Sequence, residues 1–292
     1  MIMNVIEVKN LKKHFGKTKA LDGVSFSVKK GEIFGFLGPN GAGKTTTIRC
    51  MMDFIHPNSG QIKILGLDAH SGSRELKEKI SYLSGDNRLY DNWTGLEHIK
   101  FLENVRHKKS IASALVKRLG LNTKMKFKNL SSGNKQKLGL VLALMFEPEL
   151  VILDEPTVGL DPLLQNVVYD ILKDFQAKGS TIFMSSHNLA EVEHVCSRAA
   201  VIKAGKIIAV EDIEKLRGKR MHLATIIFIG KYKKSDFIFD GVEVRKELPD
   251  GLVLNIKGEI NPLIQKLSKY KIKDLEITHA SLEEVFLEFY KS

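Results

Sequence analysis

The sequence has 292 residues, 43% of them hydrophobic, which is enough for two domains and a sizeable buried core. Its two cysteines, Cys50 and Cys196, lack CxxC spacing, which gives no metal or redox signal and favours buried thiols in a reducing cytoplasm. The longest apolar run, Leu138 to Phe146, is too short to span a bilayer, and the first residues lack the apolar region of a signal peptide. We therefore expect a soluble, cytoplasmic protein.

The net charge of +11 is unevenly distributed along the chain. Residues 100–128 contain nine Lys/Arg and one acidic residue, Glu103, whereas residues 222–292 contain eleven charges of each sign. Most of the excess therefore lies in one short helical stretch. Such a stretch suits an anionic membrane leaflet or nucleic acid, and an ordinary solvated helix face is the alternative.

Up to about Arg217, β-rich runs alternate with helical patterns, which predicts an α/β core that contains parallel strands. The first residues alternate like a strand, and the later β-rich runs are "IFGFLG", "QIKILG", "ISYL", "ELVILDE", "STIFMSS" and "AAVIKAG". Between "ISYL" and "ELVILDE" lie about 65 residues that carry only helical patterns. Because this segment is long for a crossover, we predict an inserted helical subdomain at about 86–148.

After "LRGK" the pattern changes to three further β-rich runs, "LATIIFI", "VEVRKEL" and "LVLNIK", with "FDG" and "PDG" as turns. A helix over 262–270, a strand over 272–278 and a final amphipathic helix over 281–290 are predicted to follow. We therefore expect a first domain at residues 1–218 and a small α+β domain at residues 219–292.

The segment "GPNGAGKT", Gly38 to Thr45, fits the pattern G-x-x-x-x-G-K-[ST] and lies between a predicted strand and a predicted helix. Gly41 and Gly43 allow backbone N–H groups to converge on phosphate oxygens. Lys44 can reach the β- and γ-phosphates, and the Thr45 hydroxyl can bind Mg²⁺. The predicted ATP-binding residues of this loop are Gly38, Pro39, Asn40, Gly41, Ala42, Gly43, Lys44, Thr45 and Thr46.

Two carboxylates and one histidine follow later strands. Asp154 and Glu155 end the run "LVILDE"; Asp154 suits the Mg²⁺ shell, and Glu155 suits the orientation and deprotonation of an attacking water. His187 ends the next strand, at the same predicted edge of the sheet, where it could contact the γ-phosphate and the water. Taken alone, a polar turn and a structural histidine are the alternatives.

The order "GPNGAGKT", "LSSGNKQ", "LVILDEPTVGLD" and "SSH" resembles the ATP-binding subunit of an ABC transporter over residues 1 to about 215. The resemblance implies the P-loop NTPase fold of that family, with its inserted helical subdomain, and ATP hydrolysis that requires Mg²⁺. It also implies that Phe15 stacks on adenine, for which a core phenylalanine is the alternative. Asp161 in "VGLD" matches the family's D-loop, which crosses between subunits.

The segment "LSSGN" resembles the signature motif of this family, which is usually LSGGQ. In the family this motif contacts the γ-phosphate of ATP held by a second subunit, so that two chains enclose two nucleotides head to tail. The resemblance therefore assigns Ser131, Ser132, Gly133 and Asn134 to ATP binding. Ser132 and Asn134 replace the usual glycine and glutamine, and both are small or polar enough for an anion site at a helix N-terminus.

A second departure from the family pattern is Gly85 in "SYLSGDN". The family usually has a glutamine at this place, which contacts Mg²⁺ and acts on the membrane subunit. Glycine offers no ligating side chain. Either Asp86 or a water substitutes for the amide, or the coupling runs through the backbone.

The segment "YLSGDNRLYDNWTGLEHI" and the tail "ITHASLEEVFLEFYK" resemble the drug, bacteriocin and peptide exporters that pair with ABC-2-type permeases. The resemblance implies an ATPase that exports an antibiotic, lipid or amphipathic peptide through a separate integral membrane permease. It also implies a second ATP-binding subunit, in a homodimer or a heterodimer. The expected location is the cytoplasmic, inner face of the cell membrane, and no nucleic-acid partner is expected.

The alternative is a soluble ABC ATPase that acts on nucleic acid or ribosomes. The repair and condensin type separates the phosphate loop from the signature by a long coiled coil, whereas Lys44 and Ser131 are only 87 residues apart in this sequence. The translation type carries two cassettes in each chain, and this sequence carries one. A regulatory cassette without catalysis is disfavoured because Glu155 and His187 are both present.

Overall fold

A computed structural model describes residues 3–218 and 222–279. The chain divides into two compact units, Met1–Ile213 and Glu214–Ser292, and each contains a hydrophobic cluster of its own. The helix predicted over residues 281–290 lies outside the described residues. Within the described ranges, no helix combines the length and the apolar character needed to cross a bilayer.

The described residues of the first unit form ten strands and the helices that connect them. The strands are Asn4–Phe15 (β1), Thr18–Lys29 (β2), Ile33–Leu37 (β3), Ser59–Ile64 (β4), Leu67–Asp68 (β5), Ile80–Leu83 (β6), Leu150–Asp154 (β7), Thr181–Ser186 (β8), Arg198–Lys203 (β9) and Lys206–Asp212 (β10). The helices are Lys44–Met51 (α1), Ser73–Lys79 (α2), Gly95–Arg106 (α3), Ala112–Arg118 (α4), Ser132–Leu144 (α5), Pro162–Ala177 (α6) and Leu189–Val195 (α7). A short helix, Ile213–Gly218 (α8), follows β10.

Six strands form a sheet in the order β10-β9-β3-β8-β7-β6, in which only β10 runs antiparallel to its neighbour. Every residue of β3, β7 and β8 is buried, as expected of parallel strands that are covered on both faces. The predicted parallel α/β core is therefore confirmed.

The register of this sheet brings several strand ends to one edge. Leu37 of β3 pairs with Ser186 of β8, and Asp154 of β7 pairs with Ser185 of β8. Leu83 of β6 pairs with Leu153 of β7. The loops that follow β3, β8, β7 and β6 therefore emerge side by side, which is where open parallel sheets bind their ligands.

A second sheet of the first unit is antiparallel, in the order β2-β1-β4-β5. The predicted strand "QIKILG" belongs to this sheet as β4, and not to the parallel one. The pairing of β1 with β2 contains several register shifts, which interrupt the alternation of buried and exposed residues along both strands.

The segment between β6 and β7 is helical, as predicted. It contains α3, α4, a 3-10 turn over Phe127–Asn129, and α5. A capping box starts α3, in which Thr94 and Glu97 bind each other's backbone N–H groups. Ser131 caps α5, which packs against α3, α4 and β6.

The described residues of the second unit form an antiparallel sheet in the order β12-β13-β11-β14, which packs against a helix. Its elements are His222–Phe228 (β11), Val242–Leu248 (β12), Gly251–Ile256 (β13), Asn261–Leu267 (α9) and Ile272–His279 (β14). The four strands and the helix predicted for residues 222–278 are confirmed, although α9 ends three residues earlier than predicted.

Candidate functional site

The phosphate loop, residues 38–45, connects the buried strand β3 to the N-terminus of α1. Gly43 caps α1 with a φ of 111°, and a Cβ at this position would lie 2.8 Å from the carbonyl oxygen of Ala20. Gly41 has a φ of 78°. Only glycine adopts such backbone angles readily, so these residues allow the loop to turn its N–H groups toward one point.

The Lys44 side chain is only 6% exposed and is surrounded by oxygen atoms. Its Nζ donates to the carbonyl oxygens of Gly38 at 2.7 Å and Pro39 at 3.3 Å. The same Nζ lies 3.1 Å from Oε1 of Glu155, an ion pair that lacks hydrogen-bond geometry. A buried ammonium group with only oxygen partners is suited to binding phosphate oxygens in their place.

Thr45 and Asp154 form an all-oxygen cluster beside the phosphate loop. Thr45 Oγ1 donates to Asp154 Oδ2 at 2.9 Å, and Ser185 Oγ donates to Asp154 Oδ1 at 2.5 Å. The Asp154 side chain is almost completely buried at the end of β7. Hydroxyl and carboxylate oxygens in this arrangement fit Mg²⁺, which prefers hard oxygen ligands and retains several waters.

Glu155 lies between Lys44 and His187 at the same edge of the sheet. Its Oε2 is 2.8 Å from Nδ1 of His187, and its backbone N–H donates to Ser185. Its φ of 53° is costly for a residue other than glycine, by about 1–2 kcal/mol. This backbone turn and these contacts hold the carboxylate where it could accept a proton from a water, while His187 stays half exposed.

Gly85 follows β6 and lies directly against Asp154. A Cβ built at Gly85 would be 3.7 Å from Asp154 Oδ2 and 3.3 Å from the Asp154 carbonyl oxygen. The neighbouring Asp86 is exposed, and its carboxylate forms an ion pair with Arg88 Nε at 2.8 Å. A side chain at position 85 would therefore reach the predicted metal ligand, whereas the Asp86 carboxylate is bound to Arg88.

The signature turn, Ser131 to Asn134, starts α5. The Ser131 side chain accepts from the N–H of Asn134 at 3.3 Å, and Ser131 and Ser132 are exposed. Gly133 lies against the chain at Gly159, because a Cβ at Gly133 would be 2.9 Å from the Gly159 carbonyl oxygen. In the part of the chain that the structure describes, no hydrogen bond or ion pair joins this turn to the phosphate loop.

Two further predicted residues, Phe15 and Asp161, are exposed. Phe15, at the end of β1, is 52% exposed with Lys13 Nζ 5.1 Å from its ring centroid, which is inconsistent with a core phenylalanine. Asp161 caps α6 by accepting from the N–H of Leu164 at 3.0 Å. The structure thus brings together the loop, Asp154, Glu155 and His187, and it leaves Phe15, Asp161 and the signature turn exposed.

Sequence reasoning missed Gln136, which connects α5 to the loop after β7. The buried Gln136 side chain donates from Nε2 to the carbonyl oxygens of Glu155 at 3.2 Å and Pro156 at 2.8 Å. This contact connects the signature helix to the backbone of the candidate base. A polar residue on the apolar face of α5 was the available signal in the sequence.

Sequence reasoning also missed Glu191, a buried carboxyl group in α7. It accepts hydrogen bonds from Ser186 Oγ at 2.5 Å and Thr157 Oγ1 at 2.7 Å. Burial raises the pKa of Glu191, and the charge of Glu155 raises it further, although the two hydroxyl donors oppose this shift. Glu191 therefore connects the loop after β7 to the residue that precedes His187.

Comparison with known proteins gives consistent matches. The sequence profile described as ABC transporter matches residues 21–158. An uncharacterised ABC transporter ATP-binding protein of Methanocaldococcus jannaschii is 32% identical over 278 residues, which is 92% of this chain and 97% of that protein. The bacitracin transport ATP-binding protein of Bacillus licheniformis is 31% identical over 97% of this chain and 96% of its own length. The linearmycin resistance ATP-binding protein of Bacillus subtilis is 37% identical over 70% of this chain and 68% of its own length.

Solved structures are similar to the first unit. A structure of the ATP-binding subunit of an ABC transporter has a TM-score of 0.68 and 29% identity, and it covers 73% of this chain and 92% of that chain. A dimeric ATP-binding cassette bound to ADP and phosphate has a TM-score of 0.66 at 22% identity, over 71% of this chain and 98% of that chain. At 22% identity, the similarity to this second structure shows a shared fold and nothing more.

Proposed function

This chain belongs to the ABC transporter family of ATP-binding proteins, and from that membership and the geometry of the site we propose that it powers export through a separate membrane permease. It binds ATP and is an ATPase. The observation that carries the assignment of the site is the convergence of Lys44, Glu155 and His187 beside Thr45 and Asp154.

The residues of this edge divide the catalytic work among them. Lys44 and the N–H groups of the phosphate loop bind and orient the β- and γ-phosphates. Glu155 orients the attacking water and accepts its proton, and His187 holds the Glu155 carboxylate and faces the γ-phosphate. Thr45 and Asp154 would hold Mg²⁺, which when bound neutralises phosphate charge during the transfer.

We propose that a second ATP-binding subunit completes the nucleotide site. The signature turn is exposed, and a helix N-terminus with exposed serine side chains is suited to binding anions. A second subunit that supplies this turn to the phosphate loop of the first would enclose each ATP between two chains. The same arrangement would place Asp161 at the junction of the subunits.

A permease segment is proposed to dock in a groove beside the loop after β6. A groove of about 370 Å³ lies between the loop after β6 and helices α3 and α5, and Tyr90, Phe101 and Leu142 contribute apolar side chains to it. Tyr90 is 60% exposed and Phe101 43% exposed. The groove begins three residues after Gly85, so a segment bound there would act on the loop that contacts Asp154.

The basic stretch at residues 100–128 is proposed to face the anionic inner leaflet of the membrane. All nine of its Lys/Arg residues are exposed, although Arg118 is paired with Asp174. Exposed charges of one sign attract an anionic surface, and salt screens the attraction. We expect stronger binding to anionic than to neutral liposomes at low salt, and equal binding to both would contradict this orientation.

The cargo class is proposed from the two named relatives. One takes part in bacitracin transport and one in linearmycin resistance, which supports an antibiotic, lipid or amphipathic peptide as the substrate. We assign ATP binding to residues 1–218 and an accessory role to residues 219–292. The transport and resistance relatives favour export over action on nucleic acid.

The proposal is tested by antibiotic susceptibility in a sensitive host that produces this chain and its permease. We expect tolerance of bacitracin or linearmycin to rise several-fold with the wild type and not with Glu155→Gln, an isosteric variant without a base. Equal protection by both variants would contradict transport driven by hydrolysis. If neither the wild type nor Glu155→Gln protects the host, while the wild type retains its ATPase activity, only the cargo class would be contradicted.

A further inference from the structure

A cluster of two histidines and one aspartate lies outside the nucleotide site. Asp53 follows the end of α1, His56 comes three residues later, and His70 follows β5. The Nδ1 atoms of His70 and His56 lie 2.8 Å and 3.4 Å from the same oxygen, Oδ1 of Asp53. The two imidazole rings are 4.4 Å apart between their centroids.

These separations fit a small divalent cation. One ligand atom of each residue lies within 4.8 Å of those of the other two. A tetrahedral zinc ion with bonds of about 2.0–2.1 Å places its ligand atoms about 3.3 Å apart. The Nδ1–Oδ1 distances of 2.8 Å and 3.4 Å lie on either side of that spacing. Because His56 and His70 are about 70% exposed, their rings can make the small adjustment that remains.

The donor set selects the class of metal. Two imidazoles and one carboxylate suit zinc and similar divalent transition metals, whereas Mg²⁺ and Ca²⁺ prefer oxygen ligands alone. The donors line a pocket of about 320 Å³, which leaves room for a water as a fourth ligand. Burial raises the pKa of the Cys50 thiol in this pocket to about 11, so Cys50 lines it as a neutral group.

The surrounding chain holds two of the donors in place. Asp53 has a φ of 57°, which ends α1 and turns its side chain out of the helix. The carboxylate of Asp68 accepts from the backbone N–H groups of His70 and Ser71, which fixes the turn that carries His70. Outer hydrogen bonds of this kind orient metal ligands.

We propose that Asp53, His56 and His70 bind one zinc ion or a similar divalent transition metal. The ion connects the C-terminal end of α1, whose first residue is Lys44, to the turn after β5 of the antiparallel sheet. It thereby stabilises the segment between the phosphate loop and that sheet. The site is separate in position and in ligand chemistry from the oxygen cluster of Thr45 and Asp154.

The test is calorimetric titration of the full, untagged chain with Zn²⁺ in the presence of excess Mg²⁺. We expect one equivalent to bind to the wild type, with a zinc-dependent rise in Tm. His56→Ala/His70→Ala is expected to weaken this binding at least 100-fold, since loss of even an outer partner costs about 10–100-fold. Asp53→Asn is expected to weaken it less, because its amide oxygen remains a donor.

The matched control is His107→Asn, which removes an exposed histidine from the end of α3 and should leave Zn²⁺ affinity unchanged. Unaltered ATP binding by the double histidine variant shows that it is folded. Equal Zn²⁺ affinity in the double variant and the wild type would overturn the proposal. Loss of the binding in His187→Ala instead would overturn it as well, by placing the ion beside Glu155.

Discussion

Gly85 and Asp154 define the residue-scale difference between this nucleotide site and the pattern usual in its family. A Cβ at Gly85 would face the Asp154 carboxylate at 3.7 Å, so the missing side chain leaves room beside the proposed metal ligand. Asp86 is held by Arg88 and does not take over this position. This leaves a water, or coupling through the loop backbone, in place of the amide.

Gly85→Gln should add an amide oxygen to the Mg²⁺ shell. We expect half-maximal ATPase activity at an Mg²⁺ concentration about 3–10-fold lower, equivalent to one contact of about 1 kcal/mol. The control is Gly85→Ala, which adds the Cβ near the Asp154 carbonyl oxygen without an amide. An unchanged Mg²⁺ dependence in Gly85→Gln would show that position 85 does not act on the metal.

Glu191→Gln tests the buried carboxyl group in α7. Because burial raises the pKa of Glu191, the folded protein binds this proton more tightly than the unfolded chain. The free energy of unfolding of the wild type should therefore fall as pH rises from 4.5, the ordinary glutamate pKa, through the raised pKa. Glutamine does not titrate, so the stability of the variant relative to the wild type should rise across that window.

Urea unfolding at several pH values between 4.5 and 8 measures this difference. Glu78→Gln, at an exposed position, serves as the control. If the difference in free energy of unfolding between Glu191→Gln and the wild type did not vary with pH, this would contradict a buried carboxyl group with a raised pKa.

At the scale of elements, helix α5 starts with the signature turn and contacts the loop after β7 at two places. Gly133 contacts Gly159, and Gln136 donates to the backbone at Glu155 and Pro156. A movement of the signature turn would therefore be transmitted to the backbone of the candidate base.

Gln136→Leu should disturb this connection. It leaves two carbonyl oxygens without their donor, and we expect a loss of stability of about 1–3 kcal/mol. We expect kcat to fall at least 10-fold, since the backbone of Glu155 would lose its contact with α5. Gln176→Leu is the matched control, because Gln176 donates to the Gly31 carbonyl oxygen away from the site. Equal losses of kcat in the two variants would contradict a specific role for Gln136.

The core strands β3, β7 and β8 were predictable from the sequence because their apolar runs are continuous. The buried runs of β3, β7 and β8 predicted the parallel core and, through their order, the edge that carries the site. The fold expected from the family resemblance is confirmed. The strand β2 was not predicted. Bulges in its pairing with β1 break the alternation of apolar and polar residues that indicates a strand.

The site was predictable where a motif carries its own geometry. The phosphate loop could be found from its local spacing, and the carboxylates after β7 from their place at the end of a strand in a sequence that also carries this loop. Ser185, Gln136 and Glu191 could not, because each acts on a partner 19 to 34 residues away, through contacts that only the packed structure defines. The cluster of His56 and His70 depends in the same way on the course of the chain through β4 and β5.

At the scale of the whole molecule, one chain exposes groups that a second chain would cover. Ser131 and Ser132 are exposed, and Leu163, two residues after Asp161, is 81% exposed. Three donors from a signature turn to a phosphate would contribute about 2 kcal/mol each, or roughly 12 kcal/mol for two sites. Association costs about 4–15 kcal/mol. Because these magnitudes are close, a pair of chains should form with ATP and separate after hydrolysis.

Glu155→Gln should therefore accumulate as a dimer when ATP and Mg²⁺ are present. The amide keeps the size of the side chain and cannot accept the proton of the attacking water, so the γ-phosphate that joins the two chains stays in place. Size-exclusion chromatography with light scattering should give a dimer mass with ATP and a monomer mass with ADP. Lys44→Ala, which removes the buried ammonium group and should abolish ATP binding, is expected to stay monomeric with either nucleotide. A Glu155→Gln chain that binds ATP and remains monomeric would contradict a site shared by two copies of this chain, because no γ-phosphate would then be held by a second signature turn.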